Sequence, residues 1–515
     1  MNRTISIFFL GLAMLLIVQP GARGDATSQP TPAPATAPAS QSGSQQTGGA
    51  ASIPGDRPAV SNKKPTTAKT SGQSRGDEKK LKPVVVTATR IAEPIAEVGT
   101  TVTVVEDQQV EEQKIQDVAT VLRQVPGVQV TQTGSPGAEA DVSIRGASAS
   151  QTLILLDGVE VNDGATGSFD ISSLTTDNLD RIEVLRGAGG SLYGSQAIGG
   201  VVNILSQEGE GAPKLDFLSE GGNRATQRQD LSLNGSDGPL GYSGALSYFS
   251  TEGYRPINDS SDNLSGNLRL DYHLDDSTVV RGFARYTRSN VSLVNFSVAS
   301  GIPLNPTAHQ RGEFMLFNGE IEHRFGEHLL ARANAFFVRT DLRLNQVPFP
   351  GFAGSEVDRV PDEVRGGDTE AVYTWKEGFN TLVGFDFKDR WVRSDSASVF
   401  PPFPLSTSLF RARRQEYAGY IEQEARFFDG HLLATGGMRV DGNSQFGEEV
   451  SPSWSVAIPV ERISTTLRGS YSEGFRAPSF DELYFPDFGN PNQKPEISSE
   501  YDGGFTTTFG ELASL

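Results

Sequence analysis

The chain has no cysteine in its 515 residues, which excludes disulfides, thiolate metal sites and thiol catalysis. Beyond its first turns it has no run of 18 apolar residues, so no membrane helix is expected in its body. Positive charge is in deficit. With 44 basic residues against 63 acidic ones and a net charge of −19, nucleic acid is not an expected partner, because duplex binding draws its affinity from neutralising phosphates. Histidine is scarce as well: the five residues at 273, 309, 323, 328 and 431 have no metal-ligand spacing. No G-x-S-x-G elbow or H-E-x-x-H pair occurs, so the chain is not read as an enzyme.

What is abundant is glycine, at 56 residues, while hydrophobic content is only 37%; together these suggest many turns and strands exposed on two faces. The opening MNRTISIFFLGLAMLLIVQPGARGDA, with Arg3 ahead of an apolar run from Ile5 to Val18, reads as an export signal peptide over residues 1–24, cleaved after Gly24 or Ala26. Residues 25–80 are rich in Pro, Ala, Thr, Ser and Gln and read as a flexible tether, since they cannot bury enough apolar surface to offset the entropy of ordering. LKPVVVTATR, residues 81–90, then breaks the pattern. Its β-branched run is a strong strand former placed after a structureless segment, and such a strand recruits a partner.

Residues 91–207 read as a small α+β domain. QDVATVLRQVPGVQV predicts a short helix capped by Asp117, with Val118, Val121 and Leu122 inward, stopped by Pro126 and Gly127. Asp157-Gly158 in TLILLDGVEV predicts a tight turn. From 213 to 515 the texture changes to long amphipathic strands. In NLRLDYHL, Leu268, Leu270, Tyr272 and Leu274 share one face and Asn267, Arg269, Asp271 and His273 the other. In FNGEIEHRF, Asn318, Glu320, Glu322 and Arg324 alternate with Phe317, Gly319, Ile321, His323 and Phe325. A packed sandwich interior would not accept so charged a face. Short turns alternating with long polar loops complete the signature of an antiparallel outer-membrane β-barrel with a polar lumen, and Phe249, Tyr286 and Phe428 suit its interfacial girdle.

The motifs LRQVPGVQV, SIRGASASQTLILLDGV and RIEVLRGAGGSLYGSQAIGGVVNIL, in that order, with FRAPSFDELYFPDFGNPNQKPE near the end, resemble the TonB-dependent outer-membrane receptors. The likeness runs from about residue 82 onward, and the plug is most similar to that of the cobalamin (vitamin B12) receptors. The resemblance implies a plug domain inside the barrel and a TonB box at Pro83, Val84, Val85, Val86, Thr87 and Ala88, where the periplasmic domain of TonB, driven by its inner-membrane complex, adds a strand. An ordinary first strand of the plug is an alternative reading of these residues, and the two are compatible.

Arg145, Glu183 and Arg186 are expected, by the same resemblance, to form ion pairs between plug and barrel wall, with solvated charges of the lumen as the alternative reading. Gly146, Gly158, Gly187 and Gly194, beside Asp157 and Tyr193, read as turn and close-approach positions of the plug. Ser148, Ser150, Gln151, Thr166 and Ser168 lie on polar stretches flanking the apolar LILLDGV and are the expected ligand-contacting residues of the plug, the alternative being that these stretches are plain surface loops.

The implied cargo is a small metal chelate, cobalamin or a related corrinoid first and a ferric siderophore as the alternative; a passive porin or adhesin needs neither plug nor TonB box. The only cofactor considered is calcium, on Asp259 and Asp262, against the reading that both belong to a solvated loop. A monomer in outer-membrane lipid is expected. Plugged transporters close with about 22 strands, and about fourteen are countable here, the last near Tyr501 to Phe509. The sequence thus reads as a receptor shortened at its C-terminal end, with further strands expected downstream and no closed, plugged barrel formed by these residues alone.

Overall fold

The computed structural model describes residues 84–514 except 86, 92, 256, 294–305, 349–352, 400–403, 487 and 510–512. The export signal, the tether, Pro83 and Val86 lie outside the described residues.

The first domain opens on a two-residue hairpin of β1 (Val84–Val85) and β2 (Glu93–Pro94). Strands β3 (Thr101–Glu106), β4 (Val128–Gln132), β5 (Ala140–Ile144), β6 (Thr152–Leu156), β7 (Val159–Glu160), β8 (Leu179–Arg186) and β9 (Gly200–Ser206) follow. Five of them form a mixed sheet in the order β3-β8-β9-β6-β7, while β4 and β5 make a separate hairpin. Helix α1 (Asp107–Gln113) precedes α2 (Val118–Leu122), and α3 (Gly190–Tyr193) lies between β8 and β9. α2 begins as its sequence predicts, with the Asp117 carboxylate accepting from the Thr120 N–H at 2.7 Å, and its Val118, Val121 and Leu122 are buried. The Asp157-Gly158 turn has φ of 48° and 81°, the two positive values of a type I′ turn. Asp157 is held there by the Ser206 N–H and hydroxyl at 2.8 and 2.9 Å.

The remaining strands form one antiparallel sheet in strict sequence order. They are β10 (Lys214–Gly221), β11 (Gln227–Asp237), β12 (Leu240–Thr251), β13 (Ser261–Asp275), β14 (Thr278–Ser292), β15 (His309–Phe325) and β16 (Leu329–Gln346), followed by β17 (Ser355–Lys376), β18 (Phe379–Val399), β19 (Ser406–Phe427), β20 (Leu432–Asn443), β21 (Gly447–Val460), β22 (Thr465–Arg476) and β23 (Glu496–Phe509). A two-residue β24 (Ala513–Ser514) pairs with the end of β23. Fourteen full strands are therefore present, as counted from the sequence, and among the described residues β10 has a neighbour on one side only. Connections such as 276–277, 326–328 and 377–378 are tight; at the opposite end 293–308 and 477–495 are long.

Alternation decides which face is exposed and which is buried. Leu268, Leu270, Tyr272 and Leu274 are exposed on the outer face, while Asn267 and Asp271 are buried on the inner one. The inner face is buried because the first domain fills it: Phe283, Phe314, Leu316, Val338 and Val364 of the wall share one core cluster with Val118, Ile154, Ile182 and Val202 of the plug. Phe249 corrects an expectation. It shares its side of β12 with buried Ser247 and Thr251, so it faces the lumen rather than a membrane girdle, whereas Tyr286 and Phe428 are exposed.

Candidate functional site

At the tight-turn end, β1 is paired with its own domain. Val85 is completely buried. Thr87 donates its N–H and its hydroxyl to the Glu183 carboxylate at 2.7 and 2.6 Å, receives Asn203 at 3.2 Å, and its carbonyl accepts from the Tyr193 hydroxyl at 3.0 Å. Val85, Thr87 and Ala88, expected to meet TonB, are thus folded against the plug, and the Val84 backbone pairs with Pro94.

Three residues further on, Arg90 turns with φ of 54° and ties this segment to the wall. Its guanidinium lies 4.8 and 4.9 Å from the ring centres of Tyr193 and Tyr420, donates to the Tyr420 hydroxyl at 2.6 Å and pairs with Glu370. Glu93 on β2 is buried beside Glu424 of the wall, with Arg426 at 3.7 Å from it and at 2.6 Å from Glu97. Burial first, and then the neighbouring Glu424 charge, push the Glu93 carboxyl up to about 8. A carboxyl held neutral there lets the hairpin lie against an acidic stretch of wall.

Of the three expected plug–wall ion pairs, only one forms. Arg145 reaches Glu500 and Asp502 of β23, the latter at 2.7 Å. Glu183 points instead into the plug, where it also takes Arg181 at 2.8 Å. Arg186 donates to the Pro126 carbonyl at 3.0 Å and the Thr103 hydroxyl at 2.8 Å. The correction has a simple cause: both side chains sit on β8, in the interior of the plug sheet, and find partners there before the wall is reached. Gly146 has φ of 81° beside Arg145, and Gly187, with φ of 115°, packs beside Glu500. Gly194, with φ of 74°, lies beside Asp441 and Arg439.

The main plug–wall clamps were not singled out from the sequence. Arg390 donates to the Asn162 carbonyl and the Glu160 carboxylate, both at 2.7 Å, and Lys388 pairs with the same Glu160. The Gly164 N–H donates to Asp362 at 2.6 Å, and Arg439 joins the Leu192 carbonyl at 3.0 Å to Asp386 at 2.6 Å. Their signal was the charged face of the alternation, which marks them as luminal without naming their partners.

At the long-loop end the expected contact residues divide. Ser148 is exposed and Ser150 buried; Gln151 closes a capping box on Ser148 and donates to Glu496 at 2.8 Å. Thr166 and Ser168 bond to each other at 2.9 Å, and Thr166 also bonds Asp163. The two loops meet at Gly167, whose missing Cβ would stand 3.3 Å from Ser150 Cβ and 3.9 Å from Ser479 Cβ.

Ser479 belongs to an element that covers the plug. Helix α4 (Phe480–Tyr484), inside the long 477–495 connection, folds inward so that the N–H groups of Phe480 and Asp481 each bond the plug backbone, at Gly164 and Ala165, at 2.9 Å. Phe480 is fully buried with Ala165, Val392 and Phe410, and Arg414 lies 4.9 Å over its ring. Arg476 grips Glu482 and Glu496 at 2.7–2.9 Å. The S-x-x-E spacing of Ser479 and Glu482 was the available sign of this helix.

Asp259 and Asp262 do not converge. Asp259 is turned to the plug, taking the Ser135 hydroxyl and the N–H groups of Tyr254 and Arg255 at 2.7 Å. Asp262 lies on the outer face of β13 with Asn290, at 2.7 Å. Asp259, in the loop before β13, and Asp262, on the strand, thus have separate partners and do not face each other as the expected calcium pair. Among the described residues no group of three His, Cys, Asp or Glu side chains could hold a metal ion.

A family model for the TonB-dependent receptor plug domain matches residues 94–201, and one for the TonB-dependent-receptor-like β-barrel matches residues 210–515. The chain belongs to the TonB-dependent receptors. Similar curated proteins are the vitamin B12 transporters BtuB of Photobacterium profundum, 27% identical over 83% of this chain and 67% of the relative, and of Vibrio vulnificus, 26% identical over 83% and 68%. Among solved structures, the unliganded ferric citrate transporter FecA superposes with a TM-score of 0.67 at 17% identity, over 81% of this chain and 69% of FecA. The ferripyoverdine receptor of Pseudomonas aeruginosa gives 0.69 at 15% identity, over 83% and 63%. At these identities the likeness to solved structures is one of fold. TonB-dependent receptors are outer-membrane β-barrels that take small chelates and couple to TonB, and the family is one of receptors and transporters.

Proposed function

We propose that this receptor takes up a corrinoid, cobalamin or a close relative, across the outer membrane as a monomer, driven by TonB acting on residues 83–88. The observation that carries the TonB-driven reading is the β1–β2 hairpin. It supports that reading because β1, at the tight-turn end of the plug-filled sheet, is held by contacts at Thr87 and Arg90. Pulling on it acts directly on Glu183 and Tyr193, in the middle of the plug. The corrinoid choice is supported by the relatives named vitamin B12 transporters. The ligand surface we assign comprises the plug loops at 148–151 and 163–168 together with the α4 cap.

Equilibrium binding of cyanocobalamin and of ferric siderophores to the detergent-solubilised chain tests the substrate. Cyanocobalamin binding that weakens when Gln151 and Thr166 are replaced by alanine is the expected result. Siderophore binding without corrinoid binding would move the substrate class and leave the receptor assignment standing. Normal uptake by a completed receptor lacking residues 83–89 would remove the TonB role.

A further inference from the structure

The outer face of the wall changes character abruptly along β16. Leu329, Ala331, Ala333, Ala335 and Phe337 face outward over a nine-residue stretch of strand, about the length that a tilted membrane strand needs. The next three outward positions are Arg339, Asp341 and Arg343. Strand register carries the same boundary sideways. On β14 and β15, Arg288, Arg311 and Glu313 lie at this height; on β17 they are Arg359, Glu363 and Arg365. On β18 and β19 they are Asp389, Arg393, Asp395, Arg411 and Arg413. Arginines outnumber carboxylates on this face although the whole chain carries −19.

Crowding on shared carboxylates leaves donors over. Asp341 is approached by Arg359 at 2.6 Å, Arg343 at 3.1 Å and Arg339 at 3.7 Å, and Glu363 by both Arg339 and Arg365. Arg365 remains 70% exposed and Arg413 61%. A carboxylate can use two bidentate partners, so guanidinium N–H groups point to the surroundings.

Directly below these arginines the membrane-facing surface is furrowed. Gly282, Ala284, Gly319 and Ala335 form its floor, Leu268 and Leu270 one bank and Phe317 and Phe337 the other, enclosing about 470 Å³. A Cβ added at Gly282 or Gly319 would meet nothing within 4 Å. Phe337, on one bank of the furrow, carries the Arg365 guanidinium 5.8 Å over its ring. Cation and apolar groove are thus contiguous on the outer face of the wall.

We propose that this face is a seat for a phosphorylated glycolipid of the outer leaflet, its phosphates taken by Arg339, Arg359 and Arg365 and one acyl chain laid in the furrow over Gly282 and Gly319. The charge fits an anion with several acceptor oxygens, for which arginine is suited by its planar fork. The depth fits an amphiphile, because the charged belt begins where the apolar band stops. A soluble anion has no use for the furrow, and a lipid without phosphate has none for the arginines.

The proposal rests on the outer-membrane placement of the chain, which fractionation of cells expressing it checks separately; absence from that membrane overturns both. The purified chain is titrated with bis-phosphorylated lipid A, the same lipid stripped of its phosphates, and phosphatidylglycerol. The expected order puts bis-phosphorylated lipid A about ten-fold or more ahead of both, with affinity falling as salt rises. Arg339→Gln with Arg359→Gln and Arg365→Gln should remove that preference. Gly319→Leu should weaken lipid A while leaving the arginines in place. Lys376→Gln, at the opposite rim, should change nothing. Equal binding of the dephosphorylated lipid, or a preference for phosphatidylglycerol, overturns the glycolipid seat; so does full binding by the triple variant or by Gly319→Leu with their strand content intact.

Discussion

Two arginines reach from the plug to the wall, and burial separates what they contribute. Arg145 and its partners Glu500 and Asp502 are each about a quarter to a third exposed. Solvent screens such a pair, so Arg145→Ala should cost under about 1 kcal/mol. The Arg90 and Glu370 side chains are 16% and 8% exposed, and two tyrosine rings flank the guanidinium. Removing Arg90 leaves a buried carboxylate uncompensated, at about 3 kcal/mol. Arg90→Ala should therefore free the N-terminal segment where Arg145→Ala does not. Because the native chain has no cysteine, a single nitroxide at Ile91→Cys reports this cleanly by electron paramagnetic resonance. An equally immobile label in both variants would deny Arg90 its role as a tether.

The short elements at the two ends make separate predictions. The β1–β2 hairpin docks with Glu93 facing Glu424 and Arg426 of β19 and Glu97 of its own segment. Its carboxyl, at about 8 when docked, has an ordinary value near 4.3 when released. The docked state binds the proton more tightly, so this contribution to docking is complete below about pH 4.3 and is lost as pH rises through about 8. The Ile91→Cys label should accordingly loosen between pH 6 and pH 9, and Glu93→Gln should flatten that slope. A label whose mobility does not vary with pH in the unsubstituted hairpin would contradict it.

At the other end, Phe480→Ala should cost the α4 cap about 3–5 kcal/mol, because a fully buried ring leaves a cavity. Ser479→Ala should cost only about 1 kcal/mol through the lost N-cap. Proteolysis within 477–495 should follow that ranking. Equal protection of the two variants would mean that the ring does not hold the cap.

For the molecule as a whole, the sheet sets a gradient of stability. Strands β17, β18 and β19, of 22, 21 and 22 residues, are paired along both edges, whereas the eight residues of β10 are all exposed and paired, among the described residues, on one edge. Backbone groups left unpaired in hydrocarbon are costly. Amide exchange in a membrane mimetic should be slowest in β17–β19 and fastest along the free edge of β10. Strong protection of that edge would show that further strands are paired with it.

The sequence by itself determined whatever depends on neighbours within a few residues. The alternation through Leu268 and Tyr272 gave a two-faced wall, Asp117 gave a cap, and Asp157-Gly158 gave a turn. Even one correction was within its reach: Phe249 has the parity of Ser247 and Thr251. Tertiary structure alone decided the partners. Thr87 and Glu183 are 96 residues apart, Arg90 and Glu370 are 280 apart, and Gly164 and Asp362 are 198 apart. Nothing local tells Arg90 which of 63 carboxylates to meet, because they are chemically alike and differ only in where strand register and plug docking place them. The same reason hid the arginine belt, whose members come from six strands and become one surface only when those strands lie side by side.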